Sequence, residues 1–275
     1  MIPPRLRGLR GHFGMPFFAD TNVCSKWQSD AVVRYNWEGA KAHLESQGHA
    51  YVSCPLVLIE LLARLIRPEP RYFSTDLKSF LFLADGQGKM LPFPAEFVAK
   101  TVLNMESPIT KLHPEDFRQM LQCVISATSR DDLSSGDVEL PGSTLLSYGI
   151  DFDKIRIPQD QGKQVYAKQM QLRRQKGYIP TSQDHAEGIL SNLRAAPTKA
   201  NVTAIANALD AAFHYQRFLL AEIGPEYDYL KNASDWADRQ LLYYLADPDM
   251  HIVTNDAKVK HRCRRSKQSE RVVVI

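Results

Sequence analysis

The chain has 275 residues, 44% hydrophobic and 24% charged, with 34 Lys and Arg against 31 Asp and Glu for a net charge of +3. That composition excludes a disordered chain and a general polyelectrolyte, and the length allows one enlarged domain or two small ones. Cys24, Cys54, Cys123 and Cys263 lie far apart with no C-x-x-C pair. Neither a zinc knuckle nor a redox dithiol is expected, and the thiols read as reduced. No run reaches the roughly 18 apolar residues of a membrane helix, and no apolar signal segment follows Arg5, Arg7 and Arg10. A cytoplasmic protein with no membrane partner is expected.

Residues 1–14, rich in Gly, Arg and Pro, read as a flexible leader. Phe17, Phe18 and Ala19 form an apolar run ending at Asp20-Thr21-Asn22, the pattern of a buried parallel strand with polar groups at its carboxyl end. Helical spacing through Ala31, Val32, Tyr35, Trp37, Ala40 and Leu44 stops at Gly48, and Ala50-Tyr51-Val52 offers a second strand. A helix starts near Pro55 with Ser53 available as its cap, and another covers about 76–84. Met90-Leu91-Pro92-Phe93 reads as a short third strand, and Pro94 opens a helix toward Leu103. Residues 105–231 read as a mostly helical insertion, with helices over 114–128, 161–176, 182–193 and 198–223 and a polar loop over 129–142. Alternation resumes with a helix over 235–246, a strand over 251–254, a helix over 257–265 and a strand over 271–275. The alternation predicts an α/β fold with a parallel sheet wrapped by helices, built from 15–104 and 232–275.

Four acids stand out. Asp20 ends the first strand, where open α/β sheets place ligands, although an Asx-turn accounts for it equally well. Glu60 interrupts an apolar helix, so it needs a partner, either a bound group or Arg64 one turn on. Asp238 lies in the first turn of a helix, where the dipole favours acids regardless of function. Asp235 is an alternative to it as cap, ligand or both. Asp256 follows the strand at 251–254 and also suits a helix cap. Gathered together, these carboxylates repel one another unless a hard cation such as Mg²⁺ neutralises them.

At these residues the chain resembles the PIN-domain family of metal-dependent nucleases. The resemblance rests on Phe-Phe-Ala-Asp20-Thr21-Asn22-Val23, on Leu58-Ile59-Glu60-Leu61-Leu62, and on Asp238 followed by Ile252-Val253-Thr254-Asn255-Asp256. It covers 15–104 and 232–275 and departs from compact members in the long stretch between Glu60 and Asp238. The resemblance implies a PIN-like three-layer sandwich in which Asp20, Glu60, Asp238 and Asp256 bind Mg²⁺ or Mn²⁺, with Asn22 and Thr254 orienting them. It also implies a ribonuclease that hydrolyses RNA phosphodiester bonds with metal-activated water, leaving a 5′-phosphate and a 3′-hydroxyl. An inhibitor protein, as in toxin–antitoxin pairs, or a homo-oligomer are the further partners it brings to mind.

Lys258, Lys260, Arg262, Arg264, Arg265 and Lys267 crowd the stretch after Asp256, a run that suits either a phosphate backbone or a solvated helix face. Arg173, Arg174 and Lys176 form a smaller cluster that reads as solvated. Trp27, Trp236, Tyr243 and Tyr244 fit core or interface spacing better than base stacking. Two rivals stand against the nuclease. A haloacid-dehalogenase-type phosphatase requires a second aspartate where Asn22 stands. A catalytically silent PIN-like module would use the insertion to bind RNA or protein.

Overall fold

The computed structural model describes residues 15–65, 73–84, 90–105 and 152–275, with the single positions 124, 127 and 129. The leader at 1–14 lies outside the described residues, as do Cys123 and, apart from those single positions, the helix and loop expected over 114–142. In chain order the elements are β1 (Met15–Ala19), α1 (Thr21–Lys26), α2 (Ala31–Ser46), β2 (His49–Tyr51), α3 (Pro55–Leu65), α4 (Phe73–Ala84) and α5 (Pro94–Leu103). Then come α6 (Phe152–Gln175), α7 (Ser182–Asn192), α8 (Lys199–Ala208), α9 (Asp210–Ala221) and α10 (Asp235–Leu241). A 3₁₀ segment (Leu242–Ala246), β3 (His251–Thr254), α11 (Ala257–Arg262), a second 3₁₀ segment (Lys267–Arg271) and β4 (Val272–Val274) complete the chain.

Successive side chains of a strand point to opposite faces, so the adjacent aromatics of β1 tie the sheet to two helical layers. Phe17 packs on Trp37 of α2, with centroids 6.1 Å apart, and Trp37 meets Phe82 of α4 at 4.9 Å. Phe18 meets Tyr244 of the first 3₁₀ segment at 5.3 Å, and Tyr244 meets Phe97 of α5 at 5.1 Å. Tyr166, Met170, Leu190 and Tyr215 from the helices of 152–221 belong to the same continuous core as these rings. Among the described residues no helix is long and apolar enough to cross a membrane.

All four strands are parallel, in the order β2-β1-β3-β4. The chain passes from β1 to β2 on one side, then crosses to β3 on the other, so the winding reverses between β1 and β3. That junction is where an open parallel sheet leaves a crevice beyond its carboxyl ends.

Three expected elements differ in form. The strand expected at Met90–Phe93 shrinks to one bridge, Met90 to Ser53, with Leu91 N–H donating to Ser53 O at 3.0 Å. Pro92 has no N–H to extend the ladder, and Pro94 occupies the first turn of α5. The single helix expected over 198–223 breaks at Leu209 (φ −110°, ψ 25°). Gln268 serves the backbone groups at the break, accepting from Ala211 N–H at 2.9 Å and donating to Ala208 O at 2.9 Å. The helix expected over 235–246 tightens into 3₁₀ geometry from Leu242.

Candidate functional site

Asp20 follows β1 and Thr254-Asn255-Asp256 spans the end of β3, so both motifs flank the reversal point of the sheet. Asp20 N–H donates to Val253 O at 2.8 Å, which locks the two strand ends together. Asp20 occupies the N-cap position of α1, yet its carboxylate makes no capping bond. It accepts instead from Thr254 Oγ1 at 2.7 Å and, more distantly, from Asn22 Nδ2 at 3.4 Å. Asp20 is 3% exposed.

Glu60 reaches the same place from α3. Its Oε2 accepts from Thr21 Oγ1 at 2.5 Å, beside Asp20, and its Oε1 lies 3.7 Å from Lys163 Nζ on α6. Among the described residues its ion partner is therefore Lys163, not the Arg64 that spacing offered. Asp238 enters from α10 and accepts from Tyr215 Oη at 2.9 Å.

Electrostatics link these three acids. Burial, reinforced by the charge of Glu60, pushes the Asp20 carboxyl up to about 6 against the help of the Thr254 hydroxyl. Burial raises Asp238 further, to about 8, and the charges of Asp20, Asp235 and Glu60 add to it while the Tyr215 hydrogen bond opposes. In both carboxyls burial outweighs the hydrogen bonds that favour the charged form.

Asp235, one turn before Asp238, is placed differently. Its Oδ1 accepts from Arg262 Nη1 at 2.7 Å and its Oδ2 from the Tyr227 hydroxyl, inside a pair whose side chains are 10% and 7% exposed. Asp256 caps α11, accepting from Lys258 N–H at 2.8 Å. Of the basic run, Arg262 turns inward to Asp235, and Arg264 and Arg265 pair with Glu222 at 2.7 and 3.1 Å. Lys258 is exposed and Lys260 partly so.

Among the described residues no group of three or more His, Cys, Asp or Glu side chains is drawn closely enough together to hold a metal ion as it stands. In kind the donors suit a hard divalent cation: Asp20, Glu60 and Asp238 offer only oxygen, are buried or partly buried, and feel one another's charge. Three contributors, Thr21, Lys163 and Tyr215, are not among the candidate site residues named from the sequence. Thr21 sits inside the first motif and was open to notice as a donor. Lys163 and Tyr215 lie in the long helical stretch, where one lysine and one tyrosine carry no local mark. No family model, curated protein or solved structure matches the chain.

Proposed function

We propose that this protein is a PIN-like, Mg²⁺- or Mn²⁺-dependent ribonuclease. The observation that supports the reading is that Asp20, at the reversal point of a parallel sheet, Glu60 and Asp238 feel one another's charge, with Asp20 and Asp238 held above their ordinary range by burial and by neighbouring acids. Those three residues, with Asp256 at the end of β3, would hold the ion. When bound, the ion supplies charge neutralisation and a lowered pKa for water. Thr254 and Thr21 orient Asp20 and Glu60 through their hydroxyls. Lys258 and Lys260, next to Asp256, offer charge to a phosphate backbone, whereas Arg262 serves the protein interior. The buried free thiols Cys24, Cys54 and Cys263 suit a reducing compartment such as the cytoplasm.

Two observations favour a second reading, a non-hydrolysing module that binds RNA or protein. The acids are not at ligand spacing, and Glu60 already holds Lys163. Incubating purified protein with an RNA panel, in Mn²⁺ or EDTA, separates the two. The nuclease cuts only with metal and loses at least about a hundredfold in rate as Asp20→Asn, the scale of losing one charge-stabilising group. RNA retained but uncut by the wild-type protein establishes the module instead.

A further inference from the structure

The Tyr215 hydroxyl, on α9, sits where three charged groups meet, and its single proton has one place to go. It accepts from Arg262 Nη1 at 2.7 Å, lies 2.9 Å from Asp238 Oδ2 and is 3.3 Å from Asp235 Oδ1. Asp235 is already served on both oxygens, by Arg262 and by Tyr227. A phenol carries one O–H, so the shorter distance and the satisfied state of Asp235 both assign that proton to Asp238. The ring is fully buried, and the Arg262 guanidinium lies 5.4 Å from its centroid, so packing holds the hydroxyl in place.

We propose that Tyr215 is a positioning residue for the acid site: anchored by Arg262 and Asp235, it pins one oxygen of Asp238 and leaves the other for a divalent cation shared with Asp20 and Glu60. The inference rests on the metal-site reading above. It makes the helices of 152–221 part of the site, since α9 supplies Tyr215 to Asp238 as α6 supplies Lys163 to Glu60. The Arg262–Asp235 pair then acts on Asp238 through Tyr215.

The test is direct Mn²⁺ binding to the full chain, read from the electron paramagnetic resonance signal of free Mn²⁺, for wild type, Tyr215→Phe, Asp238→Asn and the double variant. Circular dichroism and melting establish that each is folded. Tyr215→Phe is expected to weaken Mn²⁺ binding about tenfold, the lower end of the effect of removing a group that orients a metal ligand. In the Asp238→Asn background the same change is expected to add nothing, because the residue it orients is gone. Equal affinity of Tyr215→Phe and wild type overturns the inference alone. So do additive losses, or a Tyr215→Phe protein that is unfolded while Arg262→Gln binds Mn²⁺ as tightly as wild type. Absence of Mn²⁺ binding by the wild-type protein overturns the metal-site reading and the inference with it.

Discussion

Asp235 and Asp238 stand one turn apart on the same helix and meet opposite treatment. Asp235 is buried against Arg262 and Tyr227, so its charge is balanced and both oxygens are occupied. Asp238 has one tyrosine hydroxyl as its bonded partner among the described residues, and its carboxyl is pushed up to about 8 by burial and by the charges of Asp20, Asp235 and Glu60. A balanced buried acid holds the fold together, while an unbalanced one holds a deficit that a ligand can fill. The difference sets a paired acid beside a candidate site acid on a single helix, where residue type says nothing.

The comparison predicts opposite signs of stability change. Asp235→Ala leaves the Arg262 guanidinium buried without its partner and is expected to cost about 4 kcal/mol in urea unfolding. Asp238→Asn is expected to stabilise the metal-free protein, because it removes a charge that the fold penalises. The sign follows from the direction of the shift. The unfolded chain releases the Asp238 proton near 3.8 and the folded protein keeps it to about 8, so stability falls as pH rises through that window. The gain of the variant is on the order of 5 kcal/mol at pH 8 and vanishes below the unfolded value, as urea midpoints at pH 3.5 and pH 8 would show. If Asp238→Asn destabilises at pH 8, the contrast between the two acids collapses.

Smaller effects sharpen the picture. Thr254→Val removes the buried hydroxyl that bonds Asp20 at 2.7 Å. A loss of about 2 kcal/mol is expected, largest where Asp20 is ionised. Since Thr254 favours the charged form, the Asp20 carboxyl should titrate above its present value of about 6 in the variant, measurable by carboxyl-carbon NMR. Lys163→Met breaks a pair whose two side chains are 24% and 25% exposed. Its stability cost is expected to stay below about 1 kcal/mol and to shrink in salt, read from melting curves at two ionic strengths.

What the amino-acid order determined by itself is local. The apolar run before Asp20, the helix starts at Pro55 and Pro94, the hydrophobic strand before Asn255 and the parallel character of the sheet were all legible from periodicity and punctuation. Neighbouring residues control those features. The acids could be named as candidates for the same reason, because Asp20, Asp238 and Asp256 fall beside recognisable strand or helix boundaries and Glu60 interrupts an apolar helix. Tertiary structure alone decided their roles. It paired Asp235 with Arg262, turned a cation of the basic run inward, gave Glu60 to Thr21 and Lys163 instead of Arg64, and set Gln268 into the break at Leu209. Those partners are separated by tens of residues along the chain, and the balance of charge around a carboxylate depends on what burial and packing bring within a few ångströms of it, which no local pattern encodes.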